Sequence, residues 1–268
     1  MTLELIIREP ANKLHQTPLL FVHGIHHGAW CYDEYMLPYF AQHGYIAGAV
    51  SLRGHAGSPI SGSLRWTQAH HYVDDVEQAA QQMAATYGTC PVIIGHSMGG
   101  LVTQKFLETH SAPGVVLLAA APTHGILPAF LRALRRYPVH TILGTLTLNL
   151  NRVVMHSAES VRWAFFSPEM PEAEVQKHYA RMGEESFLIF LDMLLFALPR
   201  PKRVKTPILV IAAERDTLFR PWEEERLAQA YQADYKLIPG MAHDVMLEKD
   251  WQQAADSIIA WLQQTGIS

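Results

Sequence analysis

Short, wholly apolar runs alternate along this chain with longer segments of helical periodicity. Residues 18–22, 91–94, 114–119 and 207–213 carry no charged side chain and almost nothing polar. Such runs suit strands buried on both faces, as in a parallel sheet. Residues 3–8 alternate enough to form a first strand, 45–52 read as another, and 235–238 as the last. Between them the period changes. A helix is expected over 33–43, stopping at Gly44, and a longer one over 66–87. The longer helix has Val73, Val76, Ala80 and Met83 on one face and Gly88 as its stop. Further helices are expected over 101–110, after Pro221, which can open a helix at its first position, and over 250–264.

Strands alternating with helices through short turns predict an α/β fold, a mostly parallel central sheet with helices on both faces. Residues 123–202 break the alternation, being helical in pattern with no good strand candidate. The expected organisation is a core of residues 1–122 and 202–268 with a helical cap inserted at 123–201. There is no internal repeat and no low-complexity segment.

Composition narrows the function classes. The chain has 268 residues, 49% of them hydrophobic, enough for a sizeable core. Its 21 Lys and Arg against 25 Asp and Glu give a formal charge of −4. No block of basic residues stands out, so nucleic acid is not an expected partner. Two cysteines, Cys31 and Cys90, cannot staple a chain of this size and fit a reducing, cytoplasmic setting. Residues 1–10 include Glu4, Arg8 and Glu9 and lack the basic-then-apolar pattern of a secretory leader. No apolar run is long enough for a transmembrane segment. The 15 histidines raise the question of metal. Yet the adjacent pairs His26-His27 and His70-His71 do not readily converge on one ion, and the zinc spacings of His and Cys are missing. No metal and no cofactor are expected, and the chain is expected to be a monomer or homodimer.

The strand at 91–94 runs into Gly95-His96-Ser97-Met98-Gly99, a Gly-x-Ser-x-Gly nucleophile elbow. A serine there sits on a sharp strand-to-helix turn, with small residues two positions either side to relieve crowding. A serine hydroxyl is a weak nucleophile and needs a base that is itself oriented by a third group. In a parallel sheet these come from loops beyond the carboxyl ends of strands. Asp216 follows the strand at 207–213 and His243 follows that at 235–238. Glu214, Asp244 and Asp192 are rival acids. An oxyanion hole needs two backbone N–H donors. Met98, after the serine, supplies one, and Ile25, with Gly24 allowing close approach, the other. His23 is expected to be a buried histidine bonded to neighbouring loops, and His96 to point beneath the elbow.

These residues resemble the α/β-hydrolase superfamily. The resemblance rests on His23-Gly24, Arg53-Gly54-His55-x-Gly57-Ser58, Gly95-His96-Ser97-Met98-Gly99-Gly100, Asp216 and His243, and covers nearly all of the chain outside the cap. Gly-His-Ser-Met-Gly-Gly with Arg-Gly-His-x-Gly-Ser is similar to the lysophospholipase and monoacylglycerol-lipase-like branch. His23-Gly24-Ile25-His26-His27-Gly28-Ala29-Trp30 is similar to plant methyl esterases and hydroxynitrile lyases. The resemblance implies a serine hydrolase that cleaves carboxylic esters of small or lipid-like apolar molecules through an acyl-enzyme. The alternatives are a C–C bond hydrolase, lactonase or lyase on the same three residues, or a ligand receptor of the same fold. Serine rather than aspartate at position 97 argues against dehalogenase and epoxide hydrolase chemistry.

The cap is rich in bulk: Ile142, Leu143, Leu146, Leu148 and Leu150, then Trp163, Phe165, Phe166, Phe187, Phe190 and Phe196. Such residues can be buried between helices, line an apolar pocket above Ser97, or face a lipid surface or second subunit.

Overall fold

The computed structural model describes residues 2–267, with only the backbone described at Arg203. Seven strands form one sheet: β1 (Leu5–Arg8), β2 (Leu19–Val22), β3 (Ala47–Val50), β4 (Val92–His96), β5 (Val115–Leu118), β6 (Ile208–Ala213) and β7 (Asp234–Ile238). Their order is β1-β3-β2-β4-β5-β6-β7; β1 pairs antiparallel with β3 and every other pair is parallel. All seven expected strands form. The central ones, β2 to β6, are buried at every position, which is why their sequences are apolar without alternation. Edge strand β7 is exposed at four of its five positions and carries Asp234 and Lys236, charges that discourage pairing with another chain.

On one face of the sheet pack α3 (Ala69–Tyr87), α4 (Met98–Phe106) and α11 (Pro221–Tyr231); on the other lie α1 (Trp30–Asp33), α2 (Met36–Gln42) and α12 (Gln252–Thr265). Three helix ends depart from the sequence pattern. The single helix expected over 33–43 is broken at Tyr35, whose φ/ψ of −140°/−53° is not helical. Pro38 explains the break, because starting α2 at Met36 leaves the proline in the first turn, where no N–H is needed. The helix expected from residue 66 starts at Ala69, after a 3₁₀ turn (Leu64–Trp66). A capping box of Gln68 and His71 marks this start, and the Ala69 amide donates to Asp192, 2.8 Å away, so an acid more than a hundred residues distant also holds it. Finally, α4 begins directly after Ser97 and not at residue 101.

Between β5 and β6 the chain is helical: α5 (Leu127–Arg136), α6 (Pro138–Leu146), α7 (Asn151–Val154), α8 (Ala158–Phe165), α9 (Glu172–Tyr179) and α10 (Phe187–Leu191), the last running into a π-helical turn (Asp192–Phe196). The bulky side chains here divide among several environments. Phe165, Phe166, Phe187 and Ile189 are buried; Leu150 and Phe190 line an apolar chamber; Leu146 and Phe196 are exposed. No helix among the described residues is long and apolar enough to cross a membrane.

Candidate active site

Ser97 stands between β4 and α4 with φ 52° and ψ −117°, a region L-residues avoid. Such a conformation costs on the order of 1–3 kcal/mol and persists only where its surroundings fix it. Here they do. The Ser97 N–H donates to Leu118 O on the neighbouring strand, and Ser97 O accepts from Gly100, Leu101 and Ala121. The flanking glycines serve close approach. A Cβ on Gly95 would strike Thr103 Oγ1 and, at 2.6 Å, Gly99 O; one on Gly99 would strike Val22 O and, at 2.5 Å, His23 O. Gly99→Ala is therefore expected to destabilise the fold by about 3 kcal/mol, the upper part of the overpacking range, since backbone must move. A urea unfolding midpoint within error of the wild type would contradict this packing.

The loops after β6 and β7 are bound to one another. Glu214 N–H donates to Ile238 O and Arg215 N–H to Met241 O. Asp216 and His243 meet as a result: His243 Nδ1 lies 2.7 Å from Asp216 Oδ2, and His243 Nε2 lies 2.9 Å from Ser97 Oγ. Asp216 Oδ1 accepts from the Leu218 and Phe219 amides at 2.7 and 2.8 Å, which fixes the carboxylate. Burial works against a charged His243, but the Asp216 carboxylate, aided by Asp244, outweighs it and raises the histidine pKa. Of the rival acids, Glu214 accepts from Gly240 N–H and Asp192 caps α3. Asp244 lies 3.0 Å from His27 Nε2.

The two amides expected to form an oxyanion hole, those of Met98 and Ile25, both belong to segments next to Ser97. Met98 is the first residue of α4, so its amide is one of the free donors of a helix start, at the positive end of the helix dipole. Ile25 borders the chamber beside Ser97. Gly24 presses the Ile25 loop onto the elbow, since a Cβ there would lie 2.8 Å from His96 Nδ1 and 2.9 Å from Ser97 Cβ.

The histidines around the elbow are sorted by their partners. His23 Nδ1 donates to Gly24 O and its Nε2 accepts from Leu52 N–H, so the ring is neutral, in keeping with a pKa pushed well down by burial. His96 donates from Nε2 to His243 O, and burial and the nearby His243 lower its pKa to about 3. His55 faces acceptors on both nitrogens, Arg53 O and Glu185 Oε2, and Glu185 outweighs burial to raise its pKa. His96, His243 and Asp244 could offer ligand atoms within 4.8 Å of one another. Both His243 nitrogens are already engaged by Asp216 and Ser97, which does not fit a resident ion. Cys31 is fully buried, and burial pushes its thiol pKa well up, the setting of an inert cysteine.

Ser97 lines a chamber of about 60 Å³ together with Ile126, Phe130, Val154, Leu218 and Phe219. Apart from Ser97 its lining residues are all apolar. A wider surface cleft of about 560 Å³ beside Cys90 and His110 shares no residue with this site. The sequence pattern singled out neither Glu185 nor Glu224. Glu224 is fully buried, and burial together with Asp216 and Glu223 pushes its carboxyl pKa well up. For Glu185 the only pointer was its partner His55, in the Arg-Gly-His segment.

Comparison with known proteins places the chain in a family. Residues 15–250 match the family model described as "Serine aminopeptidase, S33" (Hydrolase_4). Methylesterase 10 of Arabidopsis thaliana is 31% identical over 130 residues, 45% of this chain and 42% of that protein, so the match spans less than half of the relative. The monoacylglycerol lipase of Paleococcus ferrophilus superposes over the whole of both chains with a TM-score of 0.71 at 21% identity. A thermophilic esterase of Thermogutta terrifontis gives 0.72 at 18% identity, covering 98% of this chain and 94% of its own. A bromoperoxidase of Bacillus anthracis gives 0.73 at 17%, covering 97% and 96%. At these identities the structural likenesses establish the fold alone, while the family model spans most of the sequence. The chain belongs to this Hydrolase_4 family of α/β-hydrolases.

Proposed function

We propose that the protein is a serine esterase that transfers an apolar acyl group to water, with residues 123–201 as a cap over the site. The observation that carries this is the unbroken chain of contacts from Asp216 through His243 to Ser97 at the floor of an apolar chamber. His243 Nε2 accepts the Ser97 proton as Oγ attacks the ester carbonyl, and the Ile25 and Met98 N–H groups take the charge on the carbonyl oxygen. The imidazolium then protonates the leaving alcohol. Water, deprotonated by the same nitrogen, releases the acid and restores the serine. Asp216 holds His243 with its proton on Nδ1 and stabilises the charged ring.

The chamber favours an acyl or alkyl group with no hydrogen-bonding atoms, because a buried polar group without a partner is costly. At about 60 Å³ it is far smaller than the roughly 300 Å³ at which ligand sites begin. Substrate therefore has to displace the wall that α5, α7 and α10 provide.

A fluorophosphonate is expected to add once per chain, at Ser97, as read by mass spectrometry of the digested protein. p-Nitrophenyl esters from acetate to palmitate are expected to be turned over, with the best chain length reporting the chamber's working depth. Folded protein that takes up no phosphonate and hydrolyses none of these esters would overturn the proposal. The pH dependence has a definite sign. Because the His243 pKa is raised, the inactive protonated form persists above the ordinary value of 6.5. The acid limb of kcat/KM is expected to have its midpoint above 6.5, and a midpoint below it would contradict the raised pKa of His243.

A further inference from the structure

We infer that Glu185, in the segment before α10, is a positioning residue for the oxyanion hole, acting on Ile25 through the backbone of His26. This rests on the proposed acyl-transfer function. The Glu185 side chain is wholly shielded from solvent and gathers four donors. Its Oε2 accepts from His55 Nε2 at 3.0 Å and from the His26 backbone N–H at 3.3 Å. Its Oε1 accepts from the Tyr72 hydroxyl at 3.1 Å and from the Ser186 N–H at 2.7 Å. Burial alone would oppose the charge, but the His55 partner holds the carboxyl pKa down to about 2. With both nitrogens of His55 facing acceptors, the two side chains form a buried ion pair that neither can leave without stranding the other.

The pair holds a strained peptide. His26 follows the Ile25 donor and adopts φ 65°, a left-handed conformation for a residue with a side chain. The Ile25–His26 peptide is gripped at both ends. Its carbonyl accepts from His27 Nδ1 at 2.7 Å, and its N–H is the one that reaches Glu185. Two more bonds join His26 to Gly183, whose N–H donates to His26 O at 2.8 Å and whose carbonyl accepts from His26 Nδ1 at 3.1 Å. The next amide upstream of this peptide is that of Ile25. Freeing the peptide lets Ile25 rotate and turns its N–H off the developing charge. Glu185 is not among the residues lining the chamber, so it acts on the reaction through the loop and not on the substrate.

The discriminating experiment compares wild type, Glu185→Gln and His26→Gly by active-site titration with a fluorophosphonate, steady-state ester kinetics and inhibition by a trifluoromethyl ketone. The ketone forms an oxyanion adduct on the serine and so reads the hole directly. Glu185→Gln is expected to lower kcat per titrated site by about 10–100-fold, approaching the loss of one oxyanion donor. KM should change less than about threefold, and the ketone should weaken in parallel with kcat/KM. His26→Gly leaves the ion pair in place but removes the side-chain bond to Gly183 O and loosens the peptide, and in the folded protein should weaken the ketone about tenfold; it serves if Glu185→Gln does not fold. Tyr72→Phe removes a donor on the oxygen remote from His26 and should hold kcat within about twofold. If titrated Glu185→Gln and His26→Gly keep wild-type kcat and ketone affinity, the inference fails while the esterase proposal stands. If wild type neither labels nor turns over, it is the esterase proposal that fails.

Discussion

Ser97→Ala is expected to lower kcat for any ester the wild type cleaves by about 10⁶-fold while leaving the fold intact. The substitution removes the hydroxyl proposed as the nucleophile; what remains is the stabilisation that the two amides and the chamber would give to direct attack by water. Stability is expected to change by about 1 kcal/mol or less. Alanine at φ 52° is as strained as serine, and the hydrogen bond lost is the single one to His243 Nε2. Kinetics across the ester series, paired with a thermal unfolding curve, test both halves. A folded variant with activity within a hundredfold of the wild type would mean that Ser97 is not the nucleophile.

Asp216→Asn is expected to cost about 10⁴-fold in kcat with almost no change in shape. The reason lies in the two oxygens of Asp216. Oδ1 accepts from the Leu218 and Phe219 amides, so in the variant the carboxamide oxygen must occupy that position. The amide nitrogen then takes the place of Oδ2, 2.7 Å from His243 Nδ1, and presents a hydrogen to it. His243 is forced to accept at Nδ1 and to carry its proton on Nε2, pointing at Ser97 Oγ. A ring in that tautomer cannot take the serine proton. Nitrogen NMR of the imidazole should show the proton moving from Nδ1 to Nε2, together with the fall in rate. Retention of activity within tenfold, or an unchanged tautomer, would contradict the role proposed for Asp216.

Much of the architecture was legible before folding. The apolar runs at β2, β4, β5 and β6 suit strands buried on both faces, and each became one. Gly95, Ser97 and Gly99 marked the elbow because their spacing answers a local steric problem. Asp216 and His243 could be named because strand ends in a parallel sheet restrict where partners can come from. The misplaced helix ends have two sources. Pro38, a local signal, was overlooked in the helix expected at 33–43, whereas the start of α3 combines a local capping box of Gln68 and His71 with the distant Asp192, which no neighbouring residue announces.

The apolar stretches between β5 and β6 show where sequence reading stops. Phe165, Phe190 and Phe196 are the same residue type in one helical region, yet one is buried, one lines the chamber and one is exposed. Which face a short helix buries depends on what it meets, and here it meets other short helices and the loops above the sheet. Glu185 is the clearest case. Its three distant partners stand 113, 130 and 159 residues away, and it looks like any acid on a polar stretch until the fold brings Tyr72, His55 and His26 to it. The sequence by itself determined the strands, the elbow and the order of serine, acid and histidine, because periodicity and backbone sterics act between near neighbours. Only the tertiary structure decided the narrow chamber, the neutral and charged histidines and the grip on the Ile25 loop, because burial and the pairing of distant polar groups exist only once the chain has closed on itself.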